Sequence, residues 1–243
     1  RTGLAVTDPL QIIAGGLAVK KALADKHADK LENANKESGV IDETTGFYKK
    51  ANREYTKEED VKAVNPGYKK FTTDTKNNCV LCTLTYDLRQ KGYSVSANNA
   101  SSGFNTDDLK RWYKDPKIVK HDELVNELPQ YPEWNMSFKK KQKEIRNIVR
   151  DEILKEGPGS RGYFSTGYYV THEGEIVGFG GHAMAYEVTS DKKVDIIDAQ
   201  SGKIYKDAFN NKKLSLLDHC LNMDHVRLDN LEINPEHIKE VAH

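Results

Sequence analysis

The last third of the chain carries the pattern that most limits its fold. From Gly162 the sequence breaks into short runs that read as strands: Gly162–His172, Ile176–Gly180, His182–Val188, Val194–Asp198 and Val226–Ile233. Turn signals separate them at Glu173-Gly174, Ser190–Lys192 and Ser201-Gly202. Helical signals lie ahead of this region. Thr56 with Glu59 makes a capping box for Lys57–Val64, and Asn65-Pro66-Gly67 stops that helix. Asn78 is placed to cap a helix from Cys79 to Lys91, with Val80, Leu81, Leu84 and Leu88 as its apolar stripe and Gly92 as its end. Tyr93–Ala97 alternates like a short strand. Asn105 or Thr106 starts a helix through Tyr113, and Ser137 opens one over Phe138–Glu156, ended by Gly157-Pro158-Gly159. Leu214–Leu221 reads as an apolar helix, and Pro235 begins a terminal one, while residues 116–132 give no clear element. Helices gathered ahead of antiparallel strands predict an α+β fold.

The first 60 residues have a different character. Asp8-Pro9 starts a helix that Ala, Leu and Lys carry through Asn35, followed by a polar connection over 36–57. The organisation expected is a helical N-terminal segment or linker over 1–60 and a folded domain over 61–243. The chain opens on Arg1, which suits a piece of a larger or processed protein. Lys+Arg and Asp+Glu both number 37, so the net charge is zero. Phosphate neutralisation needs a basic surplus or face, so no nucleic-acid partner is expected. No apolar run reaches the roughly 18 residues of a membrane span, so no membrane partner is expected either. No Gly-rich phosphate loop of the strand–loop–helix type is present, and no cofactor is expected.

Three cysteines, Cys79, Cys82 and Cys220, are too few for a disulfide scaffold and suit a reducing compartment or a thiol with a task. Cys79 falls at the first turn of its helix. The unpaired N–H groups there favour a thiolate and could also hold an oxyanion. A thiolate nucleophile needs a base, and the base needs an orienting group. His182 follows Gly178-Phe-Gly-Gly181, a stretch that permits close approach, and begins its strand. If that strand pairs with Val194–Asp198 as a hairpin, antiparallel counting sets His182 opposite positions 198–200, where Asp198 and Gln200 stand. Cys79, His182 and Asp198 are therefore the candidate nucleophile, base and orienting acid.

Plainer readings exist for each residue. A cysteine at a helix start can be buried filler, a strand histidine a satisfied core or surface residue, and Asp198 a turn residue. Cys79-x-x-Cys82 could be a redox pair, or half of a zinc site completed by Cys220 with His219 or His225, but the second half lacks a regular ligand spacing. Packing is the preferred role for Cys82, and no metal-ligand set is assigned. The Lys139–Lys143 run reads as a solvated helix face.

At the level of motifs the chain resembles the papain-fold toxin domains of bacterial polymorphic toxin systems, which also occur with minor head proteins of phages. The likeness rests on Asn65-Pro66-Gly67-Tyr68, Asn78-Cys79-Val-Leu-Cys82 and the run from Tyr86 through Arg89, Gly92 and Val95 to Ala97. It continues with Gly181-His182-Ala183, Ile197-Asp198-Ala199-Gln200-Ser201-Gly202 and Arg227-Leu-Asp229-Asn230-Leu231-Glu232, covering about residues 61–240 as discrete motifs. The resemblance implies a papain-like core with Cys79 as nucleophile, His182 as base and Asp198 as third member. Asn78 and Gln200 would be supporting or oxyanion residues. It also implies cysteine-dependent acyl chemistry on protein amides, as a peptidase, glutamine deamidase or acyl transferase. The partners implied are a protein substrate and a cognate immunity protein or a parent virion or secretion protein. The setting implied is a bacterial or phage-encoded effector delivered into a target cell, or a virion component. Two departures stand out. Ala199 replaces the proline common between the acid and the glutamine, and Thr73 and Asp74 stand where a papain-type oxyanion glutamine would be. Either Asn77 or Asn78, or the Cys79 backbone N–H, would then serve the oxyanion. The alternative is a non-enzymatic virion or secretion module that keeps the fold alone.

Overall fold

The computed structural model describes residues 39–50, 56–68, 78–99, 103–211 and 214–243. The helix expected over 8–35 and the candidate oxyanion residue Asn77 lie outside them. The described residues form helices and a six-stranded sheet, an α+β fold.

A small hairpin comes first, β1 (Gly39–Ile41) and β2 (Tyr48–Lys50). Helix α1 (Lys57–Val64) begins at Thr56, whose hydroxyl accepts from the Glu59 N–H while the Glu59 carboxylate accepts from the Thr56 N–H. Helix α2 runs Cys79–Gln90. Its end is set by Gly92, whose φ of 96° suits a residue without a Cβ. A 3-10 turn (Thr106–Asp108) leads into the short α3 (Leu109–Trp112), capped by Asn105 as expected. Strand β3 (Val119–His121) follows, then the long α4 (Met136–Lys155). Asn135, not Ser137, caps α4, accepting from the Phe138 N–H at 2.9 Å. The main sheet then unfolds as β4 (Arg161–His172), β5 (Glu175–Val188), β6 (Val194–Asp198), β7 (Lys203–Tyr205) and β8 (Cys220–Arg227), ordered β3-β8-β4-β5-β6-β7.

Every pairing in the main sheet is antiparallel. Alternation along the strands sends neighbouring residues to two different cores. Phe164, Met184, Tyr186, Val194, Ile196 and Met223 pack with Phe138, Ile145, Val149 and Ile153 of α4. Tyr163, Ala183 and Val226 pack with Val80, Leu81, Leu84 and Leu88 of α2. Helix α4 therefore covers one face, and α2 with α1 the other.

Several expectations are corrected. The two runs Ile176–Gly180 and His182–Val188 are one strand, because Gly180 is no break: its missing side chain makes room for the ring of Tyr168, its cross-strand partner. The last sheet strand is Cys220–Arg227 rather than Val226–Ile233, and Leu214–Leu221 holds only a 3-10 turn at Ser215–Asp218 before β8 begins. Most of β8 is buried on both faces, and a run of that kind has no period-2 signature. Tyr93–Ala97 alternates in burial as a strand would but makes only isolated bridges, to Lys49 and to Ala242. Pro235 starts no α-helix, only a 3-10 turn at Ile238–Glu240.

Residues 39–50 and 56–60, expected within the N-terminal segment, pack onto the body of the fold. Tyr93 Oη donates to Asp42 Oδ2 at 2.7 Å, and Phe47 meets the Tyr93 ring edge-on. Lys57 lies between Glu187 (2.9 Å) and Asp195 (3.3 Å) on the sheet. Buried Arg89 of α2 donates to Asp60 Oδ1 of α1 at 2.9 Å and to the Val95 carbonyl at 2.8 Å. A buried pair of this kind is costly to break, because removing one partner strands the other charge. It locks α2, and with it Cys79, against its neighbours.

Candidate active site

Cys79 is the first residue of α2, where backbone N–H groups lack intrahelical acceptors and the helix dipole is positive. Its side chain is half-buried, whereas Cys82, one turn on, is fully buried. His182 reaches this helix start from β5. The β5–β6 ladder pairs Ala185 with Ile197, and continuing that register sets His182 opposite Gln200 and diagonal to Asp198. His182 Nε2 lies 3.1 Å from Asp198 Oδ1. With Nε2 turned to the carboxylate, Nδ1 is the nitrogen left for the sulfur.

The proton equilibria reflect this placement. Burial pushes the Cys79 thiol up, but the neighbouring His182 imidazole and the N–H groups of Ala183 and Val80 outweigh it, leaving the thiol below its ordinary value. Burial alone would lower His182; Asp198 and Cys79 together raise it to about 9. Burial would raise Asp198, but His182 and Ser201 hold it below the usual carboxylate range. The arrangement favours a thiolate–imidazolium pair with an ionised acid behind it. Cys82 behaves oppositely: burial, with Cys79 and Asp198 nearby, drives its thiol far above the ordinary value. Cys220 is pushed up to about 12 by burial. Neither belongs to a group of residues able to share a metal among those described, and Cys220 sits in the other core, so the zinc site built on cysteines is not formed.

Asn78 does not cap α2 with its side chain, contrary to expectation. Both ends of its amide are engaged elsewhere: Oδ1 accepts from Gln200 Nε2 at 3.0 Å, and Nδ2 donates to the Asn98 carbonyl at 3.1 Å. Asn78 and Gln200 are both buried, at 1% and 7% exposure, so they brace the helix start from behind. Two further braces are not apparent in the sequence. Asn65 Nδ2 donates to the Gln200 carbonyl at 3.2 Å. Ser201 donates to Asp198 from both its hydroxyl and its backbone N–H. Asn65 and Ser201 do lie in motifs that carry the resemblance, but nothing local marks them as partners of Gln200 and Asp198. The C-terminal segment completes the support, since the Asn98 N–H donates to the Val241 carbonyl at 2.9 Å.

Chemically, the site offers a half-buried thiol, an imidazole able to carry its proton and a carboxylate beside the imidazole. Comparison with known protein families, with curated proteins and with solved structures gave no match in any of the three.

Proposed function

We propose that the chain is a papain-like cysteine enzyme acting on protein amides, as a peptidase or a glutamine deamidase. The observation that carries this reading is His182 held between Cys79 and Asp198. The Cys79 thiolate attacks the amide carbonyl carbon, and the His182 imidazolium gives its proton to the departing nitrogen. Ammonia leaves from a side-chain amide, or an amine from a peptide bond, and a thioester remains. Water then loses a proton to His182, attacks the thioester and releases the acid and the thiol. Asp198 keeps the imidazole oriented and steadies its charged form.

The developing oxyanion needs donors aimed at it. Asn78 is committed to Gln200 and Asn98 and is shut off from solvent, which favours the Cys79 backbone N–H for this role. By resemblance, the setting is a toxin-like effector with a protein target and an immunity partner.

The test is mass spectrometry of candidate protein substrates after incubation with the chain and with Cys79→Ala. The proposal expects either a gain of about 1 Da at glutamine, the change from amide to acid, or chain scission, both absent with the variant. Product formed equally by Cys79→Ala would overturn it.

A further inference from the structure

A second histidine–carboxylate group lies under α4, between β3 and β8, and the proposed mechanism leaves it unused. His121 of β3 and His225 of β8 stand on adjacent antiparallel strands, with rings stacked 10° from parallel and centroids 6.5 Å apart. Both turn Nε2 to one oxygen, Glu152 Oε2 of α4, at 2.8 Å and 3.3 Å. The three donor atoms all lie within 4.8 Å of one another.

The far sides of the rings are equally specific. His225 Nδ1 faces Glu156 Oε1 at 3.8 Å, and His121 Nδ1 faces Glu123 Oε1 at 3.9 Å. Tyr186 Oη donates to the other Glu156 oxygen at 2.6 Å and fixes that carboxylate. His225 is 4% exposed, yet its Nδ1 has no hydrogen-bond partner.

That orphaned nitrogen is the clue. If both Nε2 atoms donate to Glu152, a neutral imidazole has no proton on Nδ1, and a bare lone pair then faces a carboxylate. A cation between the three Nε2 and Oε2 atoms reverses this. Each Nε2 presents its lone pair to the ion, and each Nδ1–H points at an outer carboxylate, the arrangement that orients metal-bound histidines.

We propose that His121, His225 and Glu152 bind a transition-metal ion, with Glu156 and Glu123 as outer carboxylates. Two imidazoles and one carboxylate form a donor set suited to Zn²⁺. Bonds of about 2.0–2.2 Å in tetrahedral geometry put donors about 3.3 Å apart, close to the 2.8 Å and 3.3 Å that separate Glu152 Oε2 from the two Nε2 atoms. Glu152 is about a third exposed along its side chain, at 34%, so water reaches the fourth position. The ion would pin the three-residue edge strand β3 to α4 and β8.

The test is a Zn²⁺ titration of the full 243-residue chain carrying Cys79→Ser, which removes competition from the thiolate beside His182. The expected result is one equivalent bound, weakened at least 100-fold by His121→Gln and by Glu152→Gln, and about 10–100-fold by Glu156→Gln. Co²⁺ in the same protein should show the visible bands of a tetrahedral nitrogen–oxygen site without a sulfur charge-transfer band. Circular dichroism identifies any variant that fails to fold, and Co²⁺ spectra of the Cys79→Ser chain then decide. Absence of stoichiometric binding, binding that survives both ligand substitutions, or a thiolate band would overturn the proposal.

Discussion

Two regions of the molecule carry the same chemical pair in different company. At the start of α2, one imidazole faces a carboxylate and neighbours a sulfur. Under α4, two imidazoles share a single carboxylate oxygen. In the first group Asp198 engages one side of His182, and Cys79 neighbours the same imidazole. In the second, the buried Nδ1 of His225 is left over. The difference teaches that a histidine–carboxylate contact specifies little by itself. What stands on the imidazole's other side decides whether the pair suits proton transfer or ligation.

Substitutions at the sulfur site should have the largest effects. With a substrate in hand, Cys79→Ala is expected to lower turnover at least about 10⁴-fold, because removing a member of a catalytic unit leaves only binding and oxyanion contacts. Asp198→Asn should lower kcat by about 10²–10⁴-fold with little change in KM, since Asp198 acts through the histidine and not on the substrate. If KM rises and kcat holds, Asp198 has been misplaced as an orienting group.

The α4 site provides the contrasting case. At zinc about 100 times its Kd, the Cys79→Ser chain should gain about 2.7 kcal/mol of stability in urea unfolding. Adding Glu152→Gln should abolish the gain. A gain that persists in the double variant would erase the distinction between the two groups. A smaller loss is expected where the first site is braced. Gln200→Ala removes the donor to buried Asn78 Oδ1 and should cost about 1–3 kcal/mol in the same measurement. Thr56→Ala, far from either group, should cost only about 1 kcal/mol through the lost cap of α1.

Which parts of the fold and the site are legible in the sequence depends on how local their causes are. Thr56 and Glu59 stand three residues apart and set the start of α1 by themselves. The β6 strand is legible at its true limits, Val194–Asp198, because turns bracket it on both sides. The hairpin between β5 and β6 then brings His182 near Asp198 by counting alone. Strand β8 is not legible, because its apolar run fits a buried helix as well as a buried strand, and only pairing with β3 and β4 decides. The group under α4 leaves no trace in the sequence at all. Glu152 lies 31 positions from His121 and 73 from His225, and no ligand spacing links them. His121 also lies in the stretch 116–132, which shows no local pattern. Asn78 resembles a cap because asparagine before a helix usually is one; its engagement with Gln200 spans 122 positions.

If the fold ionises Cys79 through His182, the rate of alkylation at Cys79 against pH reveals it. Peptide mapping separates Cys79 from buried Cys82 and Cys220. The thiol is held below its ordinary value of 9.0, so the thiolate should persist as pH falls below 9.0 and disappear only on passing the lowered value. As pH rises through about 9, His182 loses its proton and the ion pair ends. Rapid labelling at neutral pH is expected, with a slowing of about 10–100-fold and an alkaline shift of the profile in His182→Gln. A Cys79 that labels like an ordinary thiol near pH 9, with a profile unmoved by His182→Gln, would contradict it.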